Sequence, residues 1–178
     1  LSTECLNMDR LKAKIRDIPD FPKPGIMFKD ITPLVKDPAS LRFAVLELIK
    51  PFRDKNITAV AGMEARGFIF GSIAAWELGL GFIPLRKPGK LPYDIQSVSY
   101  SLEYGEATLE AHIDAIKPGD KILLIDDLLA TGGTAKASCQ LVEKLGGEVV
   151  ACAFVVELSM LGGKEQINDY PIHSLIQY

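Results

Sequence analysis

An unbroken apolar run, Ile122-Leu123-Leu124-Ile125, bounded by Lys121 and Asp126, constrains the fold more than any other stretch. A strand that is apolar on both faces must be covered on both, as strands inside a parallel sheet are. From Ala135 onward the spacing changes. Ala137, Leu141, Val142 and Leu145 share one helical face, and Gly146-Gly147 stops the helix. Between strand and helix lies Asp126-Asp127-Leu128-Leu129-Ala130-Thr131-Gly132-Gly133-Thr134. In open α/β sheets, ligands bind at this carboxyl end of a strand.

The connecting stretch holds two chemistries. Thr131, Gly132, Gly133 and Thr134 let backbone N–H groups converge, because glycine permits the backbone angles and the close approach. The helix dipole and two hydroxyls make the same turn suitable for a phosphate. Asp126 and Asp127 would repel a phosphate but accept hydrogen bonds from sugar hydroxyls, as an acidic residue does for ribose in dinucleotide folds. Phosphate at one end and a diol at the other describe a ribose 5-phosphate. The plain alternative is a threonine helix cap preceded by two solvated aspartates. Neither G-x-x-x-x-G-K-[S/T] nor G-x-G-x-x-G occurs in the chain, which sets aside two standard phosphate loops.

A length of 178 residues predicts one domain with a substantial core. The net charge of −3 argues against an extended nucleic-acid footprint. No apolar run approaches a membrane span, and Leu1–Arg10 lacks a signal-peptide core. Cys5, Cys139 and Cys152 are odd in number and far apart in sequence, with no C-x-x-C, and His112 and His173 do not cluster. Neither a disulfide scaffold nor a zinc site is suggested, and the expectation is a reduced, cytoplasmic protein without membrane or nucleic-acid partners.

Along the chain, Leu11, Ile15 and Ile18 predict a helix over 9–18, preceded by a frayed or appended end. Asp20 to Pro33 has three prolines and a glycine, which argue against a helix, yet Phe21, Ile26, Met27 and Phe28 are too apolar for a solvated loop. It reads either as a loop pinned to the core or as a wall for a flat ligand. Asp37 and Ser40 flank a helix start, with Leu41, Val45, Leu48, Ile49 and Phe52 as its buried stripe. Ile57–Ala61 is a strand, followed by Gly62-Met63-Glu64-Ala65-Arg66-Gly67 and an apolar helix to Gly79. The Glu64/Arg66 pair is either a surface ion pair or part of an anion site. Leu80–Arg86 is a third strand, and Arg86, Lys87 and Lys90 in the next loop suit a polyanion. Val98–Tyr104 and Ala107–Ile113 read as a hairpin turning at Gly105, so 87–113 is an excursion from the core of the kind that serves as a lid. Glu148–Val156 and Tyr170–Tyr178 supply two more strands, separated by a short helical turn from Glu157. This alternation predicts a doubly wound α/β fold with a mainly parallel sheet and a small N-terminal hood over about 1–36.

Leu124 through Thr134 resembles the phosphoribosyl pyrophosphate (PRPP) signature of type I phosphoribosyltransferases, and L-L-A-T-G-G-T is close to its adenine phosphoribosyltransferase form. Phe21 to Ile31 is similar to that family's F-P-x-P-G-[IV]-x-F-R-D-[IV], Gly62–Gly67 to its G-x-[DE]-[SA]-R-G, and Ser101–Gly105 to its S-L-E-Y-G. The likeness runs from about residue 11 to the C-terminus. It implies a transfer of the 5-phosphoribosyl group of PRPP to adenine, giving AMP and pyrophosphate. By the resemblance, Asp126 and Asp127 hold the ribose, and Ala130, Thr131, Gly132, Gly133 and Thr134 the 5-phosphate. Glu64, Ala65, Arg66, Lys87 and Lys90 fall to the pyrophosphate, and Met27, Phe28, Lys29 and Leu158 to the base. Glu103, in a flexible hairpin lid over about 87–113, is the candidate acid/base, with Tyr104 of the same lid, Arg66 of the Gly62–Gly67 loop and Lys87 as the other catalytic candidates. Mg²⁺ is expected to arrive with PRPP rather than on a protein cage, and the family is usually homodimeric. Lys29 replaces the usual arginine and loses its planar fork, which keeps xanthine, hypoxanthine and guanine open as bases. PRPP-binding regulators of nucleic acid share the fold, but they carry a basic stripe or an added helix pair that this chain lacks. A sensor with a dead site is disfavoured by the intact Glu103, Arg66 and Asp126-Asp127 set.

Overall fold

The computed structural model describes residues 7–102 and 105–178. The chain divides after Glu47 into two compact units.

The first unit contains α1 (Met8–Lys12), β1 (Arg16–Ile18), β2 (Phe28–Asp30), α2 (Thr32–Lys36) and the start of α3 (Pro38–Ile49). The helix predicted over 9–18 stops at Lys12. Asn7 caps its start by accepting the Arg10 N–H at 3.0 Å, and Leu11 and Ile15 are buried as their spacing implies. Ile18, however, is extended, because Arg16–Ile18 pairs antiparallel with Phe28–Asp30. Two cross-strand ion pairs, Arg16–Asp30 and Lys29–Asp17, each at 2.6 Å, favour that pairing. Pro19 also biases Ile18 away from helical angles. The stretch read as a loop therefore holds a short strand and the first residues of α2. Pro33 is accommodated in the first turn of α2, where its missing N–H would have no helical partner.

In the second unit come β3 (Ala59–Met63), α4 (Gly67–Leu78), β4 (Gly81–Leu85), β5 (Ile95–Leu102), β6 (Gly105–His112), β7 (Lys121–Leu129), α5 (Gly133–Lys144), β8 (Glu148–Glu157) and β9 (Ile172–Gln177). Five of these strands form a sheet in the order β4-β3-β7-β8-β9, every pair parallel. Strand alternation assigns the faces. Ala61, Met63, Ile83, Leu85, Ile122, Leu124, Cys152 and Phe154 join Ala137, Leu141 and Val142 of α5 in one core. The opposite face carries α4. A Cβ on Gly71 of that helix would lie 2.8 Å from the ring of Phe82 and 3.5 Å from the Cα of Gly62. Helices on both faces of a parallel sheet make the fold doubly wound, as expected.

Several boundaries differ from the sequence reading, three of them near the carboxyl ends of strands or in the hairpin. β3 starts at Ala59 rather than Ile57 and runs on to Met63, because Gly62 and Met63 pair with Pro84 and Leu85. β7 continues through both aspartates to Leu129, its later residues pairing with Phe154, Val156 and Glu157 of β8. In the hairpin, Leu102 pairs with Gly105, so Gly105 opens the returning strand instead of turning the chain. Nor is 87–113 wholly outside the core: Leu109 and Ala111 are buried within it. Arg86 and Glu110 exchange backbone hydrogen bonds at 2.9 and 2.8 Å, which ties the hairpin to the end of β4. Among the described residues no helix is long and apolar enough to cross a membrane.

Candidate active site

The sheet order reverses between β3, which is followed outward by β4, and β7, which is followed the other way by β8 and β9. Loops at the carboxyl ends of strands diverge at such a point and leave a crevice. A cavity of about 500 Å³ opens here, lined by Glu64, Ala65, Arg66, Lys87, Tyr100, Asp126 to Ala135 and Phe154, among others.

The turn between β7 and α5 depends on Gly132. Its φ is +85°, and a Cβ there would lie 2.5 Å from the carbonyl oxygen of Gly163. Both the angle and the approach call for glycine. The turn leads directly into α5, so the first free N–H groups of that helix face the cavity end of β7. Thr134 adds its hydroxyl, 3.0 Å from the phenol oxygen of Tyr100 on β5.

Asp126 and Asp127 are strand residues with different surroundings. Asp127 is 4% exposed and its Oδ2 is 2.8 Å from Arg66 Nε. Asp126 Oδ1 accepts the Asp127 N–H at 2.8 Å. Burial, and then the adjacent Asp127 carboxylate, push the Asp126 pKa well above the usual carboxylate range, against a smaller lowering by Arg66. The close fit around Asp126 extends to α4: a Cβ on Gly67 would lie 2.8 Å from its Oδ1.

Glu64 also meets the cavity, but as a brace. Its Oε2 accepts the Lys87 backbone N–H at 2.9 Å and Arg86 Nε at 3.3 Å. The Lys87 N–H, followed by Arg86, holds its pKa below the usual range. The carboxylate thus binds the turn that carries Lys87, and Arg86 offsets its charge beside a predicted anion site.

The structure brings Glu64, Ala65, Arg66, Lys87, Asp126, Asp127, Ala130, Thr131, Gly132, Gly133 and Thr134 to one cavity. Lys90 and Leu158 do not line it. Lys90 lies in the basic loop, where its carbonyl accepts Arg86 Nη1 at 3.3 Å, and the Leu158 N–H donates to the Leu129 carbonyl at 2.9 Å. Met27, Phe28 and Lys29 belong to the first unit. There Phe28 packs edge-on against Phe21 with centroids 5.1 Å apart, and Lys29 Nζ pairs with Asp17. Glu103 and Tyr104 lie outside the described residues. Sequence reasoning missed Tyr100 and Phe154. A lone tyrosine in a hairpin strand and an aromatic in a buried strand carry no local signal of a site. No group of three or more His, Cys, Asp or Glu among the described residues is placed to hold a metal ion.

Residues 36–176 match the family model described as a phosphoribosyl transferase domain. The chain is 69% identical over 171 residues to the adenine phosphoribosyltransferase of Nitrosococcus oceani, an alignment covering 96% of this chain and 100% of that one. The crystal structure of the adenine phosphoribosyltransferase from Rhodothermus marinus superposes with a TM-score of 0.92 at 52% identity, covering 96% of this chain and 98% of the other. That of the Saccharomyces cerevisiae enzyme, complexed with an imino-altritol bisphosphate and adenine, gives 0.89 at 37% identity, with coverages of 94% and 97%.

Proposed function

The chain belongs to the adenine phosphoribosyltransferases of the phosphoribosyltransferase family, and from that premise we propose how the cavity between β3 and β7 carries out the transfer. The reaction moves the 5-phosphoribosyl group of PRPP to adenine and releases AMP and pyrophosphate. One observation carries the assignment of roles. Two carboxylates and a glycine-hinged phosphate turn follow one another along β7, and Arg66 and Lys87, from the ends of β3 and β4, line the same cavity.

In this reading the turn from Ala130 to Thr134 holds the 5-phosphate through N–H groups and hydroxyls. Asp126 and Asp127 accept the ribose hydroxyls and lie near the positive charge that develops at C1′. The bond from C1′ to the pyrophosphate oxygen breaks and its electron pair leaves with pyrophosphate. Arg66 and Lys87 stabilise that anion, with Ala65 supplying backbone and Glu64 fixing the Lys87 turn. N9 of adenine then bonds to C1′, through a transition state of oxocarbenium character, and surrenders its proton. Glu103 is assigned as the acceptor by resemblance, with Tyr104 shielding the site. The base contacts are likewise assigned to Met27, Phe28, Lys29 and Leu158, and Lys90 to long-range attraction of the polyanion. A hairpin lid over about 87–113 would keep water from the cation, its moving part limited by the buried Leu109 and Ala111.

Mg²⁺ would arrive with PRPP, held by the substrate's own oxygens rather than by a protein cage, and would neutralise their charge. A homodimer in the cytoplasm completes the proposal. The homodimer is carried over from the resemblance, and analytical ultracentrifugation tests it.

Incubation with PRPP and Mg²⁺, and adenine, hypoxanthine, guanine or xanthine in separate tubes, tests the whole reading through pyrophosphate release. Release with adenine alone is expected. Release with another base overturns the base assignment and points to Lys29. Silence with every base, despite PRPP binding in calorimetry, overturns the catalytic claim.

A further inference from the structure

Tyr100 reaches the phosphate turn from a different part of the chain. It lies on β5 and lines the cavity, with its phenol oxygen 3.0 Å from Thr134 Oγ1. Its ring also covers Gly133, where a Cβ would lie 3.4 Å from Cδ2. The strand bearing it is fixed to α5 at the other end as well, because Lys144 Nζ donates to the Ser97 carbonyl at 3.1 Å. Thr134 is held from behind: its carbonyl accepts the Ser138 hydroxyl at 2.8 Å. The two hydroxyls therefore meet between elements that are each anchored.

A phosphate oxygen accepts hydrogen bonds and, when ionised, donates none. Thr134 has one hydroxyl proton. If it is spent on Tyr100, the turn offers the phosphate an oxygen lone pair instead of a donor. If Tyr100 is the donor, the Thr134 proton is free to point into the cavity, and polarisation along the pair strengthens it. We propose that Tyr100 is a positioning residue for the 5-phosphate: it donates its phenol proton to Thr134 Oγ1 and so turns the Thr134 hydroxyl toward the ligand. This deepens the proposed function and rests on the phosphoribosyl transfer reading.

The test is a cycle of Tyr100→Phe, Thr134→Val and the double variant, with Thr134→Ser as the conservative control. KM is measured for PRPP and for adenine, and PRPP binding is followed by calorimetry. Phenylalanine keeps the ring over Gly133, and equal melting temperatures of parent and variant establish that the fold survives. Loss of one such hydrogen bond is expected to raise KM for PRPP by about three- to tenfold, with KM for adenine changed by less than about twofold. In the Thr134→Val background, Tyr100→Phe should have no further effect, since its partner is already gone. Thr134→Ser should keep the parent's KM for PRPP. The proposal is overturned by an unchanged KM for PRPP in Tyr100→Phe, by equal changes for both substrates, or by additive effects in the double variant. Absence of PRPP binding by the unmodified chain instead overturns the reading on which it rests, and the proposal with it.

Discussion

Asp126 sits where function opposes stability. Burial and the Asp127 carboxylate raise its pKa, so folding binds its proton more tightly than the unfolded chain does. The stabilisation from a raised pKa is complete below the ordinary carboxylate value and is lost as pH rises through the raised one. Above the ordinary carboxylate value the acid group thus contributes less to the unliganded fold than it does in acid. Asp126→Asn, which keeps an Oδ1 to accept the Asp127 N–H, should therefore melt higher than the parent at neutral pH, with the gap closing on acidification. Thermal melts across that range check it, and a gap independent of pH defeats it. The same change replaces the carboxyl group proposed to hold the ribose by an amide, and PRPP affinity should fall by roughly ten- to a hundredfold. Gly132 makes the converse case. Gly132→Ala meets a φ of +85° and the Gly163 carbonyl. The angle alone costs about 1–2 kcal/mol, which urea unfolding would register, and the displaced turn should weaken PRPP binding as well.

At the scale of elements, the junction of β2 and α2 predicts a response to acid. Asp30 Oδ1 accepts both the Thr32 hydroxyl, at 2.5 Å, and the Thr32 N–H, at 2.9 Å, while Oδ2 holds Arg16. The Thr32 contacts first, and Arg16 after them, lower the Asp30 pKa from 3.8 to about 2. A depressed carboxylate pKa contributes stability that is present above the unfolded value and lost as pH falls through the folded one. Asp30→Asn should be less stable than the parent at neutral pH, and the difference should shrink between the two values, as followed by circular dichroism. The junction also shows what the sequence left hidden. Ile122 to Ile125 announced a buried strand because four apolar residues in a row have few other uses. The three-residue β1 has no such pattern; Asp17 and Lys29 pair across it, and the spacing of Leu11, Ile15 and Ile18 pointed to a helix instead. The carboxylates ended β7 in the sequence reading, although its hydrogen bonds continue to Leu129, since side-chain polarity marks burial and not pairing. Tyr100 was invisible because its partner lies 34 residues away, and Cys139 and Cys152, set apart as unrelated, have sulfurs 3.5 Å from each other in the core.

For the whole molecule, the groups proposed for catalysis are gathered by topology. Residues from the ends of β3, β4 and β7 are distant in sequence but adjacent in the order β4-β3-β7, so one cavity samples three connections. The PRPP signature was legible because the phosphate turn and both carboxylates are contiguous from Asp126 to Thr134; the cavity that unites them with Arg66 and Lys87 is a property of the sheet. A ligand that binds only this arrangement stabilises it by mass action. PRPP at about one hundred times its dissociation constant adds about 2.7 kcal/mol to the stability of the folded state. For a chain of 178 residues that corresponds to a rise of about 5–10 °C in the melting temperature of the sheet, read by circular dichroism. At the same PRPP concentration, the ten- to hundredfold weaker binding of Asp126→Asn should shrink the rise to about 1–5 °C, even though its own unliganded fold melts higher at neutral pH. Opposite signs in one variant separate the two roles of the residue, because a substitution that merely damaged the fold would lower both temperatures. A PRPP-induced rise undiminished in Asp126→Asn would remove this carboxylate from the ribose site.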